Sequence, residues 1–398
     1  MLRNKKILLG VTGGIAAYKS PSICSILRKQ GAEVKVIMTE AAKKFISPLT
    51  MQTMSGNICY DQLFNQLTNM DVGHISLAKW ADIIVVAPAT ANIIGKFANG
   101  ISDDLLSTVF MASRSKVIIA PAMNTYMLNS PANQKNMKTL KDRGIIVLDT
   151  EKDLLACKDV GEGKMLSPKE IVDEIDTCLT AKDFEGKNFV ITAGPTIEPI
   201  DPVRFLSNHS SGKMGYAIAR RAKKRGANVT LISGPTNIEI PKVDNFVRIK
   251  TTQDMFDQVG KYFYNADVLI KAAAPADYKP KYYSKEKIKK NSSYDLNNIE
   301  LEKNPDIAKY YGSKKSKQII VGFAAESTNI YEYAKEKLNS KNLDMIVVNN
   351  IVREGAGFSA DTNIASIIDK NLKIEDFNIM TKIELADKIL NRISKLFS

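Results

Sequence analysis

Short apolar runs, each stopped by glycine, proline or a small polar residue, alternate along the chain with segments whose apolar positions recur every three to four residues. Continuous apolar runs of this length are what strands buried on both faces look like. In the first half they are Lys5–Val11, Val34–Met38, Ala81–Ala87, Lys116–Ala120 and Ile145–Leu148. In the second half they are Phe189–Ala193, Val229–Ile232, Phe246–Ile249, Val268–Ala272, Gln318–Phe323 and Met345–Val348. Helical spacing is predicted between Ile15 and Gln30, around Ile93–Ala98, and over Asp104–Met111, Ser167–Ala181, Met214–Ala222, Gln253–Tyr264, Tyr331–Leu338 and Thr381–Lys395. Strands that alternate with helices predict an α/β protein of doubly wound parallel sheets. The two sets of strands flank a short charged junction, AKDFEGKN. The pattern therefore predicts two domains, 1–181 and 182–398, each with its own core.

Composition adds little to that picture and removes several functions. A chain of 398 residues, 44% hydrophobic and 25% charged, is an ordinary globular one with room for two cores. No apolar run reaches the length of a membrane span, and MLRNKKILLGV is too short an apolar stretch for a signal peptide, so a cytoplasmic protein is expected. Four cysteines (Cys24, Cys59, Cys157, Cys178) form no CxxC pair, and with two histidines there is no zinc cluster. The net charge of +13 lies mostly in the second half. It is scattered, without a recognition module for nucleic acid, which favours small anionic metabolites as partners over polynucleotides or membranes.

Chemistry concentrates in the stretch from Lys187 to Pro235. After Gly194-Pro195 a long loop gathers Arg204, Asn208, His209, Ser210, Ser211, Gly212 and Lys213, with no acidic residue from Val203 to Gly226. Long ordered loops are usually functional, and donors ahead of a helix N-terminus suit a phosphate or carboxylate. The loop is not a P-loop, because Met214 stands where the magnesium-binding hydroxyl belongs. In the first half GVTGGIAAYK lacks the GxGxxG spacing, yet its glycine pair offers N–H groups to one phosphate. APATAN and PAMN read singly as strand-to-helix caps. Read together, they are places where a planar cofactor can lie at strand ends.

ITAGPTIEPIDPVRFLSNHSSGKMG resembles the signature of the phosphopantothenate–cysteine ligase family. Over roughly residues 1–180, GVTGGIAAYK, MTEAA, GHISLAKWAD, APATAN, ISDDLLS, PAMN and LACKDVGEGKM appear in the order seen in flavin-dependent phosphopantothenoylcysteine decarboxylases. The two families occur fused in many bacteria. The resemblance implies an N-terminal flavodoxin-like FMN domain and a C-terminal Rossmann-like ligase domain that uses CTP.

By similarity, Gly13, Gly14, Thr39, Thr90, Ala91, Asn92 and Ala122 would contact FMN. His74 matches the active-site histidine, Asn124 the residue that holds the substrate carboxylate, and Cys157 the proton donor of a flexible lid. In that lid Lys158 replaces a glycine and Lys164 an arginine. In the ligase half KAAAPADY has Pro275 where a β-branched residue is usual. Lys271, Ala272, Ala273, Asp277, Lys287, Pro305, Asp306, Ile307, Ala308, Phe323, Lys337 and Lys341 would contact CTP, with Asp277 the partner for Mg²⁺. Arg204 and Asn208 would bind phosphopantothenate, with Asn208 on the acyl side and Lys287 on the nucleotide side of the reaction. Lys279 to about Glu302, including the KIKK run Lys287–Lys290, reads as a lid over the nucleotide.

The chemistry implied is an acyl-cytidylate opened by the amine of cysteine, then flavin-assisted loss of CO₂ to give 4′-phosphopantetheine. A homo-oligomer built from trimers, up to a dodecamer, is also implied. Two other readings stay open on the sequence: a flavin-binding regulatory protein that has lost catalysis, and, on charge alone, a nucleic-acid binder. A flavin prenyltransferase-like first half is a third, set against by PAMN and Cys157.

Overall fold

The computed structural model describes residues 2–63, 73–154, 160–289, 298–326, 330–350 and 360–397. Backbone contacts divide the chain into two units, Met1–Thr180 and Ala181–Ser398.

The first unit is built on six strands: β1 (Lys6–Val11), β2 (Glu33–Met38), β3 (Cys59–Tyr60), β4 (Ile83–Ala89), β5 (Lys116–Pro121) and β6 (Ile146–Val147). Their order is β3-β2-β1-β4-β5-β6 and every pairing is parallel. Because side chains alternate across a strand, Ile7, Leu9 and Val11 enter one core with Val34, Val36, Ile83 and Val85. Leu8 enters the other, with Ile37, Ile84 and Val86. Helices α1 (Ser20–Lys29), α2 (Pro48–Ser55), α3 (Gly73–Trp80), α4 (Ala91–Asn99), α5 (Leu105–Ala112), α6 (Thr125–Asn129), α7 (Pro131–Asp142) and α8 (Pro168–Leu179) complete the layers. Both faces of the sheet are thus covered, which is why its strands are apolar throughout rather than alternating. Strand order reverses between β1 and β4, the place where doubly wound folds bind ligands. A hairpin, β7 (Thr150–Leu154) and β8 (Val160–Met165), follows β6. Its tip, with Cys157 and Lys158, lies outside the described residues.

The second unit repeats the plan with a different edge. Strands β9 (Asn188–Ala193), β10 (Ile197–Pro199), β11 (Phe205–Ser207), β12 (Asn228–Ser233), β13 (Asn245–Arg248), β14 (Val268–Lys271), β15 (Tyr278–Pro280) and β16 (Leu301–Lys303) come first. They are followed by β17 (Ile319–Glu326), β18 (Met345–Asn350), β19 (Thr362–Asn363), β20 (Ala365–Asp369), β21 (Ile374–Asp376) and β22 (Met380–Thr381). The main sheet runs β13-β12-β9-β14-β17-β18-β20-β21. It is parallel up to β18, and β20 and β21 are antiparallel additions that make it a mixed sheet. Helices α9 (Lys213–Lys224), α10 (Thr252–Phe263), α11 (Ile307–Lys314), α12 (Ile330–Ser340) and α13 (Lys382–Lys395) lie around it. Here the order reverses between β9 and β14, and Pro195 bridges Ala274 beyond the two strand ends.

The long polar loop expected after β9 contains structure of its own, the β10–β11 hairpin. The segment expected to be a lid starts and ends in a second small pair, β15 with β16. Strands of three residues, half of them exposed, leave no apolar run to read in the sequence.

Candidate active sites

At the switch point of the second unit the backbone turns twice on glycine. Gly194 and Gly212 both have positive φ, +74° and +77°. A Cβ on Gly212 would lie 2.7 Å from Thr236 Cγ2 and 3.3 Å from the Gly194 nitrogen, so only glycine lets the two loops meet. Helix α9 starts at this contact and runs close to β9: a Cβ on Gly215 would sit 2.6 Å from that of Ala193. Beside it the segment after β14 is laced to β9. The Ala274 N–H donates to Gly194 O at 2.9 Å, and the Ala273 N–H to Thr192 Oγ1 at 3.3 Å.

These contacts frame a cavity of about 540 Å³. Its walls bring together Asn208, Lys271, Ala272, Ala273, Asp277, the run Pro305–Ala308, Phe323, Lys337 and Lys341. Asn208 Nδ2 donates to Pro275 O at 2.9 Å, which fixes its amide at the mouth. Lys341 Nζ lies 2.9 Å from Asp306 Oδ2, and Asp306 also caps α11 through the Lys309 N–H at 3.0 Å. Burial pushes the Asp306 carboxyl up, but those two bonds outweigh it and hold it below the usual range. Burial pulls the Lys271 ammonium down to about 8 against the attraction of Asp306. Asp277 is exposed. Magnesium ordinarily keeps one or two carboxylates and takes its other ligands from water and phosphate, so a lone open Asp277 fits a metal carried in on nucleotide phosphates. Among the described residues no group of three His, Cys, Asp or Glu side chains could hold a metal alone.

Two expected residues stand elsewhere. The Arg204 guanidinium reaches Asp201 Oδ2 at 3.2 Å and Ile288 O at 3.3 Å rather than the cavity wall. Lys287 is exposed and does not line the cavity.

In the first unit Gly13, Gly14, Thr39, Thr90, Ala91, Asn92 and Ala122 all follow the C-terminal ends of the adjacent strands β2, β1, β4 and β5. Thr12 Oγ1 donates to Pro88 O at 2.7 Å and accepts the Thr90 N–H at 3.2 Å, so the glycine turn and the start of α4 are tied together. A Cβ on Gly13 would lie 2.4 Å from the Ala41 Cβ. The turn can therefore approach Ala41 only as glycine, and a glycine cradle beside a helix N-terminus fits the phosphate of a flavin mononucleotide. Asn124 caps α6 by accepting the Tyr126 N–H at 2.8 Å. The β8 strand holds this segment from the other side: Met123 N–H donates to Gly163 O at 3.1 Å, and Thr125 Oγ1 to Glu162 O at 2.6 Å. His74 is half-buried in the first turn of α3, which packs on α5. Lys164, the departure noted in the lid, is ion-paired with Asp153 and lies 3.9 Å from Glu151, both on β7.

Comparison with known proteins accounts for the whole length. The Flavoprotein family profile matches residues 1–180, and that of the DNA/pantothenate metabolism flavoprotein C-terminal domain matches residues 184–397. The coenzyme A biosynthesis bifunctional protein CoaBC of Bacillus subtilis (strain 168) is 45% identical over 400 residues, covering 100% of this chain and 98% of that protein. This chain belongs to the family of bifunctional coenzyme A biosynthesis proteins. The members from Haemophilus influenzae (strain Rd) and Escherichia coli (strain K12) are 44% and 43% identical, each match covering 98% of both chains. A crystal structure of the C-terminal domain of such a bifunctional protein, 43% identical, covers 55% of this chain and 98% of that one, with a TM-score of 0.47.

Within this family member the cavity also uses residues that sequence reasoning passed over. Thr252, Asn304, Asn363 and Lys382 line it, together with Lys213, which the sequence had offered only as one donor of the polar loop. Asn304 donates to Ala276 O at 2.9 Å, while Thr252 shares a 2.8 Å bond with Thr196 behind the wall. Lys382 and Asn363 come from the last elements of the chain, and nothing in their local sequence points back to the loop at Asn208. Asp201 was readable as a carboxylate in IDPVRF, but its part in holding Arg204 was not.

Proposed function

We propose that the chain joins cysteine to 4′-phosphopantothenate at the expense of CTP and then decarboxylates the product to 4′-phosphopantetheine. Both are steps of coenzyme A biosynthesis, and the chain is an enzyme of both kinds, ligase and carboxy-lyase. The observation that carries the ligase half is the convergence of Asn208 with the Lys271–Asp277 and Pro305–Ala308 segments, Phe323, Lys337 and Lys341 on one cavity.

A carboxylate is a poor electrophile, and transfer to the α-phosphate of CTP activates it. Lys271, Lys337 and Lys341 supply positive charge for the phosphates, and Phe323 offers an aromatic face to a base. Asp277 holds Mg²⁺ with those phosphates. When the amine attacks the acyl-cytidylate, the Asn208 amide donates to the oxygen on which negative charge gathers. Arg204 and Lys287 belong to the same reading as substrate and nucleotide contacts, though here neither lines the cavity.

In the flavin half Gly13, Gly14, Thr39, Thr90, Ala91, Asn92 and Ala122 hold FMN. Bound FMN supplies an electron acceptor that the thiol-bearing carbon needs before CO₂ can leave. Asn124 holds the substrate carboxylate, His74 acts at the active centre, and Cys157 donates the last proton. The proposal includes a homo-oligomer built on trimers and work in the cytoplasm; the three described cysteines, Cys24, Cys59 and Cys178, are buried thiols. Among the described residues no helix is long and apolar enough to cross a membrane.

The test of the ligase half is exchange of labelled pyrophosphate into CTP. It should require 4′-phosphopantothenate and Mg²⁺, and should proceed without cysteine. Exchange that needs cysteine, or that ATP supports equally, would overturn the acyl-cytidylate reading.

A further inference from the structure

Two clusters stand out among the charged groups of the ligase cavity. One is Lys271, Lys341 and Asp306, which act on one another. The other lies at the start of α9 and includes a residue from the far end of the chain. Lys382 opens α13 and is 7% exposed, yet it lines the cavity. Its main-chain N–H donates to Asp361 O at 3.0 Å, and its ammonium donates to Ala360 O. Lys213, the first residue of α9, also lines the cavity and reaches Asp361 Oδ1 at 2.7 Å. That carboxylate is 88% exposed, so water screens much of what it offers to either lysine. Burial lowers the Lys382 pKa, the charge of Lys213 lowers it further, and Asp361 opposes both.

Two ammonium groups drawn together, one of them out of water, are costly unless an anion completes the arrangement. The helix beside them supplies the same sign of field. Helix α9 is 12 residues long, follows Gly212 as an N-cap in the left-handed region, and has no side-chain cap and no acidic residue in its first turn. The carbonyl of Ala360 fills one hydrogen-bond position of the Lys382 ammonium but carries no net charge, so the exposed Asp361 offsets the ammonium only in part.

We propose that Lys382 is a phosphate-binding residue of the ligase: with Lys213 and the N-terminus of α9 it takes the terminal phosphates of the nucleoside triphosphate and holds pyrophosphate as it leaves. The inference rests on the reading that this cavity takes CTP. In the step concerned a carboxylate oxygen of phosphopantothenate bonds to the α-phosphorus. The bond from that phosphorus to the α–β bridging oxygen breaks, and its electron pair departs on pyrophosphate. Neither lysine gains or loses a proton. Their charge is matched to the leaving group, where negative charge increases most.

The test uses the full chain and two probes, inorganic pyrophosphate and CMP, as inhibitors of CTP-dependent ligation. Lys382→Met should weaken pyrophosphate inhibition about 10- to 100-fold and raise the KM for CTP comparably, the loss expected for one charge-assisted bond. Inhibition by CMP, which lacks the terminal phosphates, should stay within about twofold. Lys382→Arg should keep most of the pyrophosphate affinity, and decarboxylation of added 4′-phosphopantothenoylcysteine should be untouched by either change. A residue that only tethers Ala360 would shift pyrophosphate and CMP together or shift neither, and either result overturns the proposal. Should Lys382→Met not fold, lysine acylation of the wild-type chain, mapped by mass spectrometry, decides. Pyrophosphate must slow labelling of Lys382 while CMP does not; equal protection by both contradicts the inference. Failure of wild-type pyrophosphate exchange into CTP would instead remove the underlying reading, a separate result.

Discussion

The carboxylate of Asp201 accepts the main-chain N–H of Ile288 at 3.2 Å, joining segments 87 positions apart. The same carboxylate accepts the N–H groups of Val203 at 2.8 Å and Arg204 at 2.7 Å, and the Arg204 guanidinium at 3.2 Å. Burial pushes this carboxyl up, and the three N–H bonds with the Arg204 charge outweigh it, leaving it below the usual carboxylate range. Asp201 thereby fastens the β10–β11 hairpin, which leads to Asn208, to the segment that carries Lys287.

Asp201→Asn should loosen that fastening, since an amide presents an NH₂ group where some of the N–H donors now point. Ligation should fall on the order of 10²-fold, the scale of a misplaced substrate contact, with decarboxylation unchanged. CMP release and CO₂ release measured on one preparation separate the two. The pH sign follows from the depressed carboxyl. Its contribution to stability is complete above the unfolded carboxylate pKa and is lost as pH falls through the lower, folded value. Acidification through that window should therefore lower the melting temperature of wild type more than that of Asp201→Asn.

Lys271 makes a second pH-dependent prediction. Burial brings its ammonium down to about 8, with Asp306 and Asp277 opposing and Lys341 assisting. Above that pH it loses the charge that a phosphate would bind, so CTP affinity should weaken as pH rises through about 8. Binding just above that value should take up a proton, readable as a buffer-dependent heat in calorimetry. Lys271→Met should flatten the pH profile; an unchanged profile would remove Lys271 from the phosphate contacts.

Gly163→Ala probes the flavin side. Gly163 has φ of +126°, and a Cβ there would lie 2.1 Å from Met123 O, the carbonyl just before Asn124. Backbone cannot move aside as a flexible side chain can. The substitution should cost about 1–3 kcal/mol in stability and displace β8 from the Asn124 segment. Decarboxylation should fall while ligation is retained, as followed by denaturant melts and by CO₂ release.

Much of this arrangement was legible from the sequence. Apolar runs such as Phe189–Ala193 and Ala81–Ala87 marked strands buried on both faces, where the helix-covered sheet leaves no polar side to confuse the pattern. The residues expected to contact FMN all follow the ends of parallel strands. Those expected to contact CTP share no such position, since Phe323 lies within β17, Lys337 within α12 and Pro305–Ala308 after the antiparallel strand β16, so only the family resemblance grouped them. Other parts were not. The three-residue strands β10, β11, β15 and β16 are too short for periodicity, and two of them pair across a long intervening segment. Lys382 enters the cavity only through tertiary packing of α13, and its own neighbourhood reads as an ordinary capped helix start, with Thr381 as cap. Arg204 and Lys287 have residue types suited to binding, but spacing could not say that Arg204 is occupied by Asp201.

The roles of individual residues separate by stage. Asn208→Asp should still exchange pyrophosphate into CTP and accumulate acyl-cytidylate while forming little amide, a loss of ~10²–10³ in rate. Lys287→Gln should exchange weakly. His74→Asn should keep flavin and ligation and lose CO₂ release, and Cys157→Ser should stop after the flavin is reduced. Quenched mass spectrometry of each variant shows which species accumulates. Cytidylate accumulating in Lys287→Gln but not in Asn208→Asp would reverse the two ligase assignments.

The most direct measurement supplies the purified, flavin-loaded chain with 4′-phosphopantothenate, cysteine, CTP and Mg²⁺, and follows all products together by mass spectrometry and CO₂ release. The account predicts 4′-phosphopantetheine, CMP, pyrophosphate and CO₂ in equal amounts, with 4′-phosphopantothenoylcysteine rising first and then falling. Formation of 4′-phosphopantothenoylcysteine without CO₂, or CO₂ from added 4′-phosphopantothenoylcysteine without any CTP-dependent ligation, would contradict the claim that one chain performs both steps.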